Sequence, residues 1–235
     1  MDSYLQKQQE AYDRGWTRSL SIGKEQHGNL QVDLRFLEEI NIIAPGQSIL
    51  EIGCGIGTIT HILTQKGCCV TGTDISQQAI SYARQKYPGI PFQVEAAEHL
   101  SFADQSLDIV ISFDLFEHLK NVDVHLLEVR RVLREGGYYL LGTPNKYCSA
   151  LFATLRSRNL NWKLAHPSLN SAAQLRRRLR HHGFNCRFIK MNTINDFILN
   201  KLSSLGPLPK LLKCIDTSRL PLYLQTNFYV VSRKC

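Results

Sequence analysis

A glycine-rich turn flanked by two acidic residues has the clearest chemical meaning in this sequence. Residues 49–57 read Ile-Leu-Glu-Ile-Gly-Cys-Gly-Ile-Gly, so Glu51 stands two residues before the first glycine, and Asp74 follows 17 residues after Gly57. Such a turn lets a nucleoside lie against bare backbone, while an acid at the end of the next strand accepts hydrogen bonds from ribose hydroxyls. The pattern predicts a site for a nucleoside cofactor.

The glycine spacing and the charge of Glu51 narrow the choice of nucleoside. Gly53, Gly55 and Gly57 form the pattern G-x-G-x-G, whereas dinucleotide sites have G-x-G-x-x-G. A carboxylate at position 51 would repel a pyrophosphate, but it suits a ligand that carries positive charge. A sulfonium nucleoside with an amino group is such a ligand, so these residues favour it over NAD.

The elements that must position these residues alternate between strands and helices. We expect helices at 3–14, 30–42, 58–66, 76–87, 122–133 and after Ser171, and strands at 48–52, 69–73, 91–94, 107–113, 138–142, 184–190 and 226–232. Ser76 and Ser171 are the predicted N-caps of their helices, and Gly136-Gly137 is predicted to end the helix before it. Strands that alternate with helices of this length predict an α/β fold whose mostly parallel sheet is covered on both faces.

The overall composition is that of a single α/β domain. The 235 residues are 43% apolar, which is enough for a sizeable core. We expect neither a signal peptide nor a membrane span, because the N-terminus is polar and no apolar run approaches roughly 20 residues. The seven cysteines include no C-x-x-C pair, so a zinc site and a disulfide framework are disfavoured. Reduced thiols in a cytoplasmic protein are the simpler interpretation.

Positive charge is concentrated in one short segment. The formal net charge is +8, and residues 176–182 read Arg-Arg-Arg-Leu-Arg-His-His. A basic face of this kind attracts RNA, anionic lipid or an acidic substrate. The alternative is an ordinary solvated helix face, since Ala172, Leu175 and Leu179 lie at helical spacing and turn most of the arginines outward.

Several segments together resemble the class I S-adenosylmethionine-dependent methyltransferases, most closely the branch that contains the ubiquinone-biosynthesis O-methyltransferases. The resemblance spans about residues 45–190 and rests on Ile49–Thr60, Asp74, Glu95–Phe102, Asp114–Leu119, Arg131–Gly137 and Thr143–Asn145. Glu135 stands where the family usually has proline, and Ala96 stands where many relatives have aspartate. The N-terminal segment matches the quinone enzymes poorly, so their substrate is not carried over.

The resemblance implies a domain organisation and a cofactor site. It implies a Rossmann-like, doubly wound fold with a mostly parallel seven-stranded sheet and helices on both faces. An N-terminal helical cover would span 1–44 and a methyltransferase domain 45–235, with an insertion at 145–170 over the substrate. The residues implied to bind S-adenosylmethionine are Glu51, Gly53, Cys54, Gly55, Gly57, Asp74, Ile75, Ala96, Ala97, Glu98, Phe113 and Asp114.

The expected reaction is transfer of a methyl group by in-line displacement to a small-molecule acceptor, most simply to a hydroxyl oxygen. A hydroxyl must lose its proton, and histidine is the natural base. His118, with Glu117 beside it, and His166 are the candidates for catalysis. The alternatives are purely structural roles for these residues, or a magnesium site formed by Asp114, Glu117 and His118, which is not favoured because histidine is an unusual magnesium ligand.

Aromatic residues indicate what kind of acceptor to expect. Rings outside the predicted sheet suit an aromatic or apolar acceptor; they are Tyr4, Tyr12, Trp16, Tyr147, Phe152 and Trp162. Their alternative role is to attach the cover to the core. Nucleic acid is the less favoured acceptor and would use the basic 176–182 segment, and N- or C-methylation is a further alternative. Residues 193–215 would contact a membrane surface, or form a lid or a dimer contact, and the protein is expected to be a monomer or homodimer.

Overall fold

The computed structural model describes residues 3–23, 25, 29–150, 166–195, 199 and 215–235. Within these ranges the helices are α1 (Ser3–Ser21), α2 (Leu30–Ile40), α3 (Thr58–Gln65), α4 (Gln77–Lys86), α5 (Val122–Val132) and α6 (Ala172–His181). The strands are β1 (Ser48–Ile52), β2 (Cys69–Asp74), β3 (Phe92–Val94), β4 (Leu107–Phe113), β5 (Leu133–Pro144), β6 (Phe184–Ile189) and β7 (Asn227–Lys234). Short 3-10 turns lie at Phe116–His118, Thr217–Arg219 and Leu222–Leu224.

The seven strands form one sheet in the order β3-β2-β1-β4-β5-β7-β6. Strands β1 to β5 pair in parallel, and β7 pairs antiparallel with both β5 and β6. The predicted mostly parallel α/β sheet is confirmed. Because the strand order reverses at β1, the carboxyl ends of β1 and β4 open a crevice there, which is where open α/β sheets bind ligands.

Neighbouring residues of β1 pack on opposite faces of the sheet. Ile49 belongs to a buried cluster with residues of α2 and α3, and Leu50 belongs to another with residues of α5 and α6. Each fully buried leucine or isoleucine stabilises the fold by about 1.5–3 kcal/mol. The central strands are therefore apolar on both faces, and the polar residues collect at the strand ends.

Both predicted N-caps are present. The Ser76 hydroxyl accepts a hydrogen bond from the Ala79 N–H at 3.2 Å at the start of α4. At the start of α6, Ser171 accepts from the Gln174 N–H, and the Gln174 side chain accepts from the Ser171 N–H, which completes a capping box. These serines use local hydrogen bonds to satisfy the free N–H groups of a helix start, which explains why the sequence reveals them.

The predicted helix stop at Gly136-Gly137 is wrong. Helix α5 ends at Val132, and β5 begins at the next residue, because Leu133 is already extended (φ −70°, ψ 135°) and pairs with Leu107 of β4. The pairing register shifts between Leu107 and Ile109, and Gly136 has a positive φ of 73° at this irregularity. Gly136 and Gly137 therefore lie at a break in the strand register, and they do not end a helix. Helix α1 is also longer than predicted, since it continues to Ser21.

A polar network is buried in the core between α5, β4 and β5. His125 is fully buried, its Nδ1 lies 2.8 Å from the Ala97 carbonyl oxygen, and its Nε2 lies 3.0 Å from the Tyr139 hydroxyl. The Ser112 hydroxyl lies 2.6 Å from that of Tyr139. A carbonyl can only accept, so Nδ1 carries a proton. Burial lowers the pKa of the ring and keeps it neutral, so Nε2 accepts from the Tyr139 hydroxyl.

Acid should destabilise the protein through His125. Burial lowers the pKa of His125 to about 4, against the hydrogen bond to Ala97 and the charge of Glu128, which raise it. Because the pKa is depressed on folding, the histidine's contribution is present above the unfolded pKa of about 6.5 and is lost as the pH falls towards 4. Between pH 7 and pH 5 the loss is about 2 kcal/mol.

Comparing urea unfolding of the wild type with His125→Leu at both pH values isolates this effect. Buried carboxyls with raised pKa values, such as Glu51, titrate in the opposite sense in both proteins and cancel in the comparison. The variant should lose about 2 kcal/mol less between pH 7 and pH 5. Equal pH dependence of the two proteins would contradict this account.

Candidate cofactor and acceptor site

The glycine turn after β1 forms the floor of a cavity at the carboxyl edge of the sheet. The N–H groups of Gly53 and Cys54 both donate to the Thr73 carbonyl, at 2.7 and 2.9 Å, which fixes the turn to β2. A Cβ on Gly55 would lie 2.7 Å from the Trp16 ring, and its φ is +53°. A Cβ on Gly57 would lie 2.5 Å from the Phe92 ring at a φ of +79°. Both positions require glycine for conformation and for space.

Asp74 holds the glycine turn from the side of β2. Its Oδ2 accepts from the Gly55 N–H at 2.9 Å, and its Oδ1 accepts from the Ser76 N–H at 2.8 Å. Burial raises the pKa of Asp74, and these two backbone hydrogen bonds oppose the shift. The carboxylate thus contacts the start of the next helix and lines the cavity at the same time.

Glu51 lies buried beneath the turn. It is 5% exposed, and its carboxylate accepts a hydrogen bond from the Thr60 hydroxyl. Burial raises the pKa of Glu51 to about 7, helped by the charge of Asp74 and opposed by hydrogen bonds from Thr60. A carboxyl group that lines the cavity and ionises near neutral pH suits a positively charged ligand group.

Most residues implied to bind the cofactor line this one cavity. The lining members of that set are Glu51, Gly53, Cys54, Gly55, Asp74, Ile75, Ala97, Glu98, Phe113 and Asp114. Gly57 and Ala96 are not among the lining residues. Gly57 lies under the turn against Phe92, so its contribution is to the shape of the turn.

The cavity is acidic, although the protein carries net positive charge. The lining carboxylates are Glu25, Glu51, Asp74, Glu95, Glu98 and Asp114, and no lysine, arginine or histidine of the described residues lines it. The residues therefore fit a cationic ligand with a nucleoside part: a glycine cradle without side chains, an acid beside the ribose position and a carboxylate beneath the turn.

Helix α1 covers the cavity. Gln8, Tyr12 and Trp16 line it, and Asp13 accepts hydrogen bonds from the Ser76 hydroxyl at 2.6 Å and the Gln78 N–H at 3.1 Å. The sequence predicted the aromatic cover but carried no signal for Asp13, because its partners are 63 and 65 residues away. Tyr4 instead lies under Lys120, whose Nζ is 4.6 Å from the ring centre.

The two candidate histidines meet at the edge of the site. The ring centres of His118 and His166 are 4.8 Å apart, and Tyr12 contacts His118 edge-on at 6.0 Å. Gln8 donates to the His118 carbonyl at 3.3 Å. Neither histidine lines the cavity; His118 reaches its edge through Tyr12, and His166 contacts His118.

Glu117 is a buried neighbour of this histidine pair. Its Oε1 lies 3.8 Å from His118 Nε2, and its Oε2 accepts from the Thr143 hydroxyl at 3.0 Å. Burial raises the pKa of Glu117, as does the charge of Asp114, while the Thr143 bond lowers it. In its ionised form, Glu117 at 3.8 Å from the imidazole can stabilise a protonated ring.

Asp114 is held in an unusual backbone conformation. Its φ is +49°, in the left-handed region that non-glycine residues rarely adopt, and the Asn29 amide donates to its two carboxylate oxygens at 2.8 and 3.2 Å. In the part of the chain that the structure describes, no three His, Cys, Asp or Glu side chains are grouped to hold a metal ion. The magnesium alternative at Asp114, Glu117 and His118 has no geometric support among these residues.

Other predicted features lie partly outside the described residues. Phe152, Trp162 and most of 193–215 fall there, and Tyr147 is 62% exposed. In the basic segment, Arg178 and His182 contact Asp123 at 3.4 and 2.9 Å. No described helix has both the length and the apolar character to cross a membrane.

Comparison with known proteins agrees with this geometry. Residues 50–141 match a family described as "Methyltransferase domain". A Mycolicibacterium smegmatis protein named "Probable S-adenosylmethionine-dependent methyltransferase" is 32% identical over 59% of this chain and 52% of its own length. The "Ubiquinone biosynthesis O-methyltransferase" of Agrobacterium fabrum is 29% identical over 45% of this chain and 44% of its own length.

The fold has matches over nearly the whole chain. A chain of the complex between the Haloferax volcanii Trm112 methyltransferase activator and a methyltransferase superposes with a TM-score of 0.72 at 17% identity, covering 96% of both chains. By contrast, this chain spans about half the length of the curated relatives it matches. Residues 50–141 therefore match a methyltransferase domain, the chain is similar in sequence to a protein named as an S-adenosylmethionine-dependent methyltransferase, and its fold is shared with solved methyltransferases.

Proposed function

We propose that this chain transfers a methyl group from S-adenosylmethionine to a hydroxyl oxygen of a small-molecule acceptor. The observation that carries the proposal is that His118 contacts both His166 and Tyr12, and that Tyr12 lines the cofactor cavity. The two histidines are 48 positions apart in sequence. An imidazole close to a methyl-donor site can take the proton that a hydroxyl acceptor must lose.

The cavity supplies contacts for each part of the cofactor. Glu51 would attract the amino group, Asp74 would accept from the ribose hydroxyls, and Ala97 with Glu98 would flank the adenine. Gly53 and Gly55 would let the chain of the cofactor pass against backbone. When bound, S-adenosylmethionine supplies an electrophilic methyl group on a sulfonium centre.

The protein's part in the reaction is alignment, proton removal and exclusion of water. Tyr12, Leu115 and Leu119 line the side of the cavity nearest the 3-10 turn that carries His118. An acceptor held there would lie next to Tyr12, which contacts His118, and an ionised Glu117 would stabilise a protonated His118. Holding two reactants in line removes much of the entropic barrier to displacement at carbon.

A small molecule with an amino group is the second candidate acceptor. The observation in its favour is that five lining carboxylates besides Glu25, which pairs with Lys86, meet no lysine, arginine or histidine among the described lining residues. Such a lining attracts an ammonium and repels a phosphate or carboxylate. RNA has less support, because Asp123 contacts both Arg178 and His182 and so engages part of the basic segment within the fold.

The cofactor class is testable by thermal shift. S-adenosylhomocysteine should raise the melting temperature and NAD should not, since a ligand at a hundredfold its Kd stabilises by about 2.7 kcal/mol. Asp74→Asn should lose most of the shift, because one amide oxygen cannot serve Gly55, Ser76 and the ribose together. Stabilisation by NAD, or a full shift in the variant, would contradict the assignment.

The pKa of Glu51 predicts how cofactor affinity depends on pH. The ionised carboxylate attracts the amino group, so affinity for S-adenosylhomocysteine should be full above about pH 7 and fall by up to tenfold per unit below it. Calorimetric titration between about pH 6 and pH 8 measures this slope. Glu51→Gln should bind more weakly with a flatter profile; a wild-type slope in the variant would exclude Glu51 as the group responsible.

The histidines are tested by turnover with a panel of phenols, alcohols and amines. His118→Asn and His166→Asn should each reduce turnover of a hydroxyl acceptor, by about 10²–10⁴-fold for the base itself, while S-adenosylhomocysteine still binds. The exposed His181→Asn is the matched control. Full turnover in both variants rules out a histidine base, and turnover lost with EDTA and restored by magnesium would favour the metal alternative.

A further inference from the structure

One face of α5 holds the segment that runs from Ala97 to Asp104. Three α5 side chains spaced three residues apart make the contacts: His125 to the Ala97 carbonyl, Glu128 to the Leu100 N–H at 2.9 Å, and Arg131 to the Leu100 and Phe102 carbonyls at 2.8 and 2.7 Å. Arg131 also pairs with Glu128 and with Asp104. The segment is therefore fixed by hydrogen bonds to its backbone as well as by its own side chains.

His125 makes the contact nearest the cavity. Its partner Ala97 lines the cavity, whereas Leu100 and Phe102 do not. The Ala97 N–H makes no hydrogen bond to another described residue, so it is available to a ligand, while the carbonyl of the same residue is held by His125. That carbonyl belongs to the Ala97–Glu98 peptide plane, whereas the Ala97 N–H belongs to the Ala96–Ala97 plane, whose carbonyl accepts from the His99 N–H at 3.0 Å. With both planes held, the backbone torsions at Ala97 are fixed.

Packing alone does not explain a histidine at position 125. The site is fully buried beside the rings of Phe116 and Tyr139, where an apolar side chain would avoid the cost of burying two ring nitrogens. That cost is offset only because both nitrogens are hydrogen-bonded, and one of those bonds ends at the cavity wall. The network thus connects the core to the wall of the cavity.

We propose that His125 is a positioning residue for the cofactor's adenine: by holding the Ala97–Glu98 peptide plane it fixes the backbone torsions at Ala97, and so directs the Ala97 N–H at the ring edge. This inference rests on the proposed cofactor site and extends it to a residue outside the cavity. Loss of the Nδ1–H donor should let the Ala97 carbonyl turn and should weaken recognition of the adenine edge specifically. Contacts to ribose through Asp74 and to the amino group through Glu51 should be unaffected.

The test compares S-adenosylhomocysteine with the analogue in which hypoxanthine replaces adenine. The wild type should prefer the adenine compound by about tenfold, the value of roughly one well-placed hydrogen bond. His125→Leu and His125→Met, which lack the donor, should lose about tenfold in affinity for the adenine compound and most of the preference. His125→Met is tested beside His125→Leu because the flexible methionine side chain fills irregular space, which provides a folded variant if the leucine variant does not fold.

Two matched variants separate positioning from general damage to the core. His125→Asn keeps an N–H donor near the position of Nδ1 and should retain the preference. Tyr139→Phe removes the hydrogen bond on the other side of the ring and should lower the melting temperature without changing the preference. Calorimetry well below each melting temperature gives the affinities.

The preference of the four variants for the adenine compound over the hypoxanthine compound tests the positioning role of His125. Loss of preference in His125→Leu and His125→Met, together with its retention in His125→Asn and in Tyr139→Phe, supports the proposal. Wild-type preference in His125→Leu or His125→Met, or equal loss in Tyr139→Phe, overturns it. If the wild type binds neither compound, the proposed cofactor site itself has failed.

Discussion

The site depends on one carboxylate, that of Asp74, which ties the glycine turn to the start of α4 through the Gly55 and Ser76 N–H groups. A glycine turn has little conformational preference of its own, so it keeps a ligand-binding shape only when its N–H groups are held from outside. Thr73 holds two of them and Asp74 a third. The acid at the end of β2 therefore shapes the floor of the cavity before it meets any ligand.

The N-terminal helix is part of this arrangement. Asp13 contacts the first residues of α4, Trp16 lies over Gly55, and Tyr12 contacts His118. One helix thus touches the glycine turn and the histidine edge of the same cavity. Changes in α1 should for that reason affect the binding of both reactants, which a separate covering segment would not do.

The sequence was sufficient for features that depend on local signals. Hydrophobic alternation, the serine caps and the glycine turn indicated the α/β sheet and most of the cavity lining, because each is decided by neighbouring residues. At Gly136 the local signal for a helix end was misleading, because the pairing of β5 with β4 places this glycine at an irregularity within a strand. It also carried no signal for contacts such as Asn29 to Asp114, 85 residues apart, which exist only once the sheet order is set.

His125 shows the same limit in the core. A histidine within an apolar helix is visible in the sequence, but its role depends on the Ala97 carbonyl and the Tyr139 hydroxyl, which reach it from the turn after β3 and from β5. Helical periodicity places His125, Glu128 and Arg131 on related positions of α5, yet it does not say what lies opposite them. Only the tertiary structure decides which residues lie opposite these side chains.

The acidic lining has a consequence for product release in the proposed reaction. Methyl transfer converts a sulfonium into a neutral thioether, so the ligand loses one positive charge while Asp74, Asp114 and Glu51 stay where they are. The electrostatic attraction that concentrates the charged donor in the cavity is then weaker for the spent product. The fixed charges would favour exchange of product for fresh donor, and this bias should diminish as salt screens them at the cavity mouth.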